Sequence, residues 1–424
     1  MKRTNDVGLQ PARMWHASRL RILAFLAVMG PGLITASADN DAQGITTYAV
    51  TGARTGYSLL WLLLIVLVSL VVTQEIGARL GMVTGKGLGS LIRERYGVRP
   101  AASAMALLLV ANLGTTTAEF AGVAAALEIF GVSKFVSVPI TALLAFAMIS
   151  RGSYKRVERI FLVMSLLYVS YVMSGFLAHP NWKEAVHASV TPHFTFSSLF
   201  LLTAIAMVGT TVTPWGQFFI QAYVVDKGLT TAHKRLEQID VFLGGVIAVS
   251  VAAFIIVAAA ATIHSTGGVI VDAKDAALAL EPLAGRFAAT LFALGLLNAA
   301  FMASGVLPLS TAYAICESFG FELGVDQRIR EAPVFYGVIA FSICFGAGIV
   351  LLPGAPLVPI LFLSAALNAV LLAPILVFLY LLANDRELMG EHRNGRLSNT
   401  FTIATIVMLV TLTITLLIVT LSGG

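Results

Sequence analysis

The sequence predicts an all-α membrane protein of eleven transmembrane helices, arranged as two five-span repeats of opposite topology followed by one extra helix. Three observations predict it. Of the 424 residues, 58% are hydrophobic and only 12% charged, and mean hydropathy is +0.89, whereas a soluble chain carries roughly a quarter charged residues. Apolar stretches near the ~20 residues needed to cross ~30 Å of hydrocarbon recur along the chain. The first and sixth of these stretches are both interrupted by proline, glycine and polar residues.

The stretches fall at 22–50, 57–78, 101–127, 135–150, 160–178, 197–223, 241–263, 287–316, 333–351, 355–383 and 398–421. "YSLLWLLLIVLVSLVVT" and "FTIATIVMLVTLTITLLIV" carry no Asp, Glu, Lys, Arg or His. The chain therefore divides into an amino-terminal segment, 1–20, and a single transmembrane domain, 21–424. Within it, repeat one covers about 21–178, repeat two about 197–384 and the extra helix about 398–421.

The net charge of +5 does not point to nucleic acid, because the basic residues are sorted by loop. Of 27 Lys and Arg, only Arg54, Lys134, Lys183, Lys274 and Arg286 fall on one set of alternate segments, and the other 22 fall on the opposite set. Basic loops stay cytoplasmic, so the amino terminus is expected inside a cell (inner) membrane and the uncharged tail "LSGG" outside. The first residues, "MKRTNDVGLQPARMWHASRL", are polar and basic and do not read as a cleavable leader. Cys316 and Cys344 lie in or beside apolar segments and give no disulfide framework or thiolate spacing.

Span one reads "RILAFLAVMGPGLITASADNDAQGITTYAV" and span six "LFLLTAIAMVGTTVTPWGQFFIQAYVV". Proline removes a helical donor and clashes with the preceding turn, while glycine tolerates unwound backbone. Such backbone survives at membrane depth only when buried in protein or lining a wet cavity. Spans one and six hold corresponding places in the two repeats, and paired interruptions there mark a midplane site where freed carbonyls and half-helix ends hold a cation. Asp39, Asn40 and Asp41 lie in the first break, where a carboxylate costs several kcal/mol without a functional partner. They are too close in sequence to share one face of a regular helix.

Other polar groups read more plainly. Gln74 and Glu75 end span two beside a basic inner loop and are expected to pair at the interface, as is Glu128 at the outer end of span three. Asn298, Ser304, Ser310, Ser364 and Asn368 are expected to bond between helices. The outer loop, about 178–197, carries His179, His187 and His193 at irregular spacing and is expected to be solvated rather than to bind metal. "GKGLG" at Gly85–Gly89 lacks phosphate-loop spacing.

With these residues in view the chain resembles the NRAMP family of divalent-metal transporters, which use a LeuT-like inverted repeat. The family's Asp-Pro-Gly-Asn motif falls on Asp41-Ala42-Gln43-Gly44, anchored by "GYSLLW" downstream. "ARLGMVTGKGL" after span two and "TTAEFAGVAAAL" in span three extend the likeness. The resemblance implies a transporter rather than an enzyme, with divalent metal ions and the lipid bilayer as partners and the metal as substrate rather than cofactor. A monomer is expected, and no nucleic acid partner.

Carried onto this sequence, the resemblance implies Asp41 as principal anionic ligand, with Thr213, the carbonyl of Thr210 and backbone near Gly44 completing the metal site. Asn40, Gln217, Asn368 and Glu119 are expected around it. The departures are informative. The family's Ala-x-x-Met-Pro-His pattern becomes Thr210-Thr211-Val212-Thr213-Pro214-Trp215, replacing a thioether by a hydroxyl, and Gly44 stands where the family has asparagine. Oxygen ligands and water suit Mg²⁺, which keeps several waters, whereas sulfur selects transition metals.

Proton-path positions of the family fall on Thr116 and Trp215, neither of which carries a proton near neutral pH, while Glu119 keeps its place. The sequence thus favours uptake of Mg²⁺, with Mn²⁺ and other divalents also passing, by alternating access without proton coupling, through a roomy hydrated pocket. The alternative is a proton-coupled Mn²⁺ or transition-metal importer of the NRAMP type. An amino-acid carrier of the same fold is disfavoured because Asp41 would repel a carboxylate. An intramembrane enzyme is disfavoured because the membrane lacks histidines apart from His264 at the end of span seven.

Overall fold

The computed structural model describes residues 40–151, 168–325 and 327–422. Fourteen of its helices are labelled here. They are α1 (Ala42–Thr55), α2 (Leu60–Thr84), α3 (Leu88–Tyr96), α4 (Val98–Ile129), α5 (Lys134–Ser150), α6 (Val169–Leu177) and α7 (Trp182–Val190) in the first part. They continue as α8 (Ser198–Thr211), α9 (Pro214–Asp226), α10 (Lys234–Thr262), α11 (Ala288–Phe319), α12 (Pro333–Leu351), α13 (Leu357–Asn384) and α14 (Arg396–Leu421). Among the described residues there is no strand.

Eight helical stretches among the described residues are long and apolar enough to cross a bilayer, and α5, at 17 residues, is a shorter apolar helix. The remaining expected spans are only partly described. The first half of span one, with Pro31, Gly32 and Asp39, and the start of span five lie outside the described residues.

Helix ends follow local chemistry. α1 stops where Gly56 turns to φ +57 and its N–H reaches the Gly52 carbonyl at 3.0 Å. α2 ends on Gly85 in the left-handed conformation, the usual glycine stop. The loop expected to be solvated contains α7, capped by the Asn181 side chain, which accepts the Glu184 N–H.

Helix α4 forms the centre of the bundle, packed along its length on α11 and α13. α1 lies against α10, α8, α13, α4 and α11, so its first turn is enclosed on all sides. Close approach is built in at Gly122 of α4, where a Cβ would stand 2.5 Å from the Cβ of Ala42. α14 packs on α13, α8 and α2 with only 22% of its apolar window covered, as an added peripheral helix should.

The cytoplasmic ends expected from the basic loops are tied by ion pairs. Arg79 bonds Glu75 at 3.0 Å and also reaches the His392 carbonyl and Asn394 Oδ1 at 2.5 and 2.6 Å. Glu75 is thus the interfacial partner the sequence suggested. Arg95 pairs with Asp385 and with Glu387. Their hydrogen bonds and charges raise the Arg95 guanidinium above its usual value.

Candidate functional site

Span six is broken where its sequence requires it. α8 makes its last turn with the Val212 N–H bonded to the Val208 carbonyl at 2.9 Å, and Val212 and Thr213 are then extended. A continuing helix would bond the Thr210 carbonyl to the amide of residue 214, but that residue is Pro214 and has no N–H. The Thr210 carbonyl is therefore among those freed at the helix end. α9 restarts at Pro214 with the Thr213 hydroxyl accepting the Gly216 N–H at 3.3 Å. Thr213 is both a break residue and a cap.

The described part of span one also begins on an oxygen cap. Asp41 is the N-cap of α1, and its Oδ1 accepts the Gly44 N–H at 2.7 Å. Gly44 therefore sits in the first turn with its amide committed to Asp41. The neighbouring amides of Ala42 and Gln43 donate to the Glu119 carboxylate of α4, both at 3.3 Å. Two fully buried carboxyls thus share one helix start, within hydrogen-bonding reach of each other. The positive end of α1 offsets part of the cost of placing them there.

Gln43, absent from the residues singled out in the sequence, locks this start in place. Its Nε2 donates to Ser364 Oγ at 2.6 Å, and its Oε1 accepts from Asn368 Nδ2 at 3.3 Å. Asn368 Nδ2 also donates to Thr115 Oγ1 at 2.9 Å. The result is a buried chain from α4 through α13 to α1. Asn368, expected near the site, acts here on Gln43 rather than at the break itself. Tyr48 and Thr211, 2.8 Å apart, link α1 to the end of α8.

Asp41 faces a cavity of about 10 Å³, lined also by Tyr168, Trp215, Ala299, Met302, Ala303, Val306 and Leu307. That volume holds about one water molecule. The roomy, oxygen-lined pocket expected from the sequence is not what these residues form. Trp215 and the apolar face of α11 fill the space, leaving Asp41 as its one carboxylate among the described residues. Thr213, Thr210 and Gly44 are buried close to the breaks but do not line this cavity.

Around the span-six break several buried polar atoms have no partner among the described residues. They include Thr210 Oγ1, Trp215 Nε1 and both amide atoms of Gln217. An unsatisfied buried group of this kind costs about 1–3 kcal/mol, so these atoms mark a place where polar contacts come from outside the described residues. Asn40 is buried beside Asp41. Thr116, by contrast, presses its methyl toward Gly346 of α12, where a Cβ would stand 3.1 Å away. It faces span nine.

At the end of the bundle away from the basic loops, His179, His187 and His193 meet His264 and Glu184 around a cavity of about 540 Å³. The loop histidines were expected to be solvated, and a shared cavity is consistent with that. His264 also bonds the Ala53 carbonyl of α1 at 2.9 Å. Among the described residues no three His, Cys, Asp or Glu are grouped to hold one ion. Tyr57 also lines this cavity.

A bundle of membrane-length helices, two of them starting on buried oxygen caps, one an aspartate facing a cavity, has the make-up of a membrane transporter of the LeuT-like fold. The profile for natural resistance-associated macrophage protein-like proteins matches residues 32–419, and the chain belongs to this Nramp family. The divalent metal cation transporter MntH of Pectobacterium carotovorum is 30% identical over 94% of this chain and 95% of its own length. The protein of the same name from Aeromonas hydrophila is 28% identical over 87% and 90%.

Among solved structures, the manganese transporter of Eremococcus coleocola superposes with a TM-score of 0.73 at 21% identity, covering 92% of this chain and 85% of that one. The nucleobase-cation-symport transporter Mhp1 has a TM-score of 0.55 at 15% identity, covering 92% and 91%. This is a divalent metal cation transporter and not an enzyme, and the metal is its substrate.

Proposed function

We propose that the chain imports divalent transition-metal cations, Mn²⁺ foremost, by alternating access and coupled to protons. The observation that carries this reading is Asp41, capping α1 beside the Glu119 carboxyl and opening on a cavity about 10 Å³ in size. A space of one water admits a cation stripped of most of its shell. Mg²⁺ sheds water reluctantly and usually keeps several. Two carboxyls within hydrogen-bonding reach give a proton somewhere to sit when the cation is absent. The named functions of the relatives support the same reading.

The basic inner loops support an inside amino terminus, so the membrane potential adds ~2.3 kcal/mol per charge per 100 mV to cation entry.

A second reading is the uncoupled Mg²⁺ transporter expected from the sequence. It is favoured by Thr213 and Gly44, which bring neither thioether nor amide to the breaks, and by Thr116 and Trp215, which cannot relay a proton. It requires the cavity beside Asp41 to widen in another conformation.

Uptake into proteoliposomes of Mn²⁺ and of Mg²⁺, with a pH-sensing dye inside, separates the two. Mn²⁺ uptake with acidification supports the first reading. Mg²⁺ uptake at constant pH supports the second. Uptake of both ions undiminished in Asp41→Ala contradicts both.

A further inference from the structure

Beyond the helix starts of α1 and α9, the cavity at Asp41 has a third wall. That wall is α11, which packs on both α1 and α9. It contributes Ala299, Met302, Ala303, Val306 and Leu307 to the lining, with Met302 only 9% exposed. We propose that Met302 gives its thioether to the cation held by Asp41 and so sets the preference for soft divalent ions. This deepens the reading that Asp41 holds the transported ion and rests on it.

The cavity is about 10 Å³, and both Asp41 and Met302 line it. An ion within a space that small has wall atoms, not a water shell, as its ligands. A carboxylate and a thioether together favour Cd²⁺ and the softer transition ions over Mg²⁺ and Ca²⁺.

The alternative role for Met302 is filling a gap. Three features weigh against that as its whole role. Ala299 and Ala303 beside it are small, so the unbranched side chain has room to swing toward Asp41. Val306 and Leu307 show that branched residues already supply the apolar packing on this face. Neither cysteine lines the cavity, so Met302 brings its only sulfur among the described residues. The α11 residues that line the cavity are all apolar, so a thioether ligand among them carries no polar signal in the sequence.

The test uses the full-length purified protein and the variants Met302→Leu and Met302→Gln. Leucine keeps volume and costs little in packing, while glutamine keeps length and offers oxygen in place of sulfur. Competition of Cd²⁺ against Mn²⁺ and Mg²⁺ is measured for each, together with cadmium X-ray absorption on the ion-loaded protein. The expected result is a sulfur neighbour for Cd²⁺ in the parent protein that disappears in both variants. Cd²⁺ affinity should fall about tenfold, the weight of about 1.4 kcal/mol, while Mg²⁺ competition stays unchanged.

An oxygen-only cadmium shell in the parent, or a Cd²⁺ to Mg²⁺ ratio unmoved by both variants, overturns the proposal. Asp41→Ala run alongside tells the two failures apart. If it abolishes binding while the Met302 variants change nothing, the Asp41 reading stands and the thioether does not. If it leaves binding intact, the site itself is elsewhere and the Met302 proposal falls with it.

Discussion

Asp41 and Thr213 occupy the same position in the two halves of the molecule. Each is the N-cap of a helix, α1 or α9, and each accepts the amide three residues on, from Gly44 at 2.7 Å and from Gly216 at 3.3 Å. One cap is a carboxylate and the other a hydroxyl. The inverted repeat therefore presents two equivalent helix starts to the midplane, and the charge is carried on one side only.

Capping and charge at position 41 can be separated. Asn caps as well as Asp, so Asp41→Asn should leave thermal unfolding within a few degrees of the parent while lowering metal uptake more than about 100-fold, beyond the loss typical of outer contacts. Asp41→Ala should lose both. Equal uptake by parent and Asp41→Asn would mean that the carboxylate serves only the helix.

At position 213 the test runs through stability. Thr213→Val removes the acceptor for the Gly216 amide, and loss of such a cap costs about 1 kcal/mol. Thr213→Ser should restore it. Denaturation in detergent reads the difference, and a Thr213→Val protein as stable as the parent would show that α9 is held by its packing instead.

Glu119→Gln keeps the shape of the side chain but can accept only one of the two amides now bonded, from Ala42 and Gln43. Acidification accompanying Mn²⁺ uptake should fall to background while some metal flux remains. Unchanged acidification would place the proton elsewhere than the Asp41–Glu119 pair.

The Gln43 network sets the geometry of the α1 start. Gln43→Leu removes one hydrogen bond each from Ser364 Oγ and Asn368 Nδ2, which keep the Leu361 carbonyl and Thr115 Oγ1 as partners, at about 0.5–1.5 kcal/mol per bond. Lower thermal stability with weaker metal affinity is expected, and a Gln43→Leu, Asn368→Leu double variant should recover part of the stability. Strict additivity of the two changes would contradict a shared network.

Close packing gives a further check. Gly122→Ala places a methyl against the Cβ of Ala42, 2.5 Å away with both chains unmoved. Overpacking of this kind costs typically about 1–3 kcal/mol. The variant should show reduced transport with a lower unfolding temperature, and full activity would mean that α1 can shift freely.

How much of this was legible in the sequence depends on whether the signal was local. The span-six break was readable because Pro214 cannot donate to the Thr210 carbonyl whatever surrounds it. Asp41 was readable because a carboxylate in an apolar run demands a reason. The partners of Gln43 were not, since Ser364 lies 321 residues away and is brought near only by the packing of α13. The size of the cavity was also hidden, because Trp215 and Met302 look like ordinary apolar residues until α11 is seen to face Asp41. His264 joins the loop histidines only through the fold of α10 against α1.

The most direct measurement is the position of Mn²⁺ in the protein, located by its anomalous X-ray scattering in crystals grown with the ion. The account predicts one peak within bonding distance of the Asp41 carboxylate, between the starts of α1 and α9. A peak confined to the outer cavity among His179, His187, His193 and His264, with Asp41 still bonded only to the Gly44 amide, would contradict it.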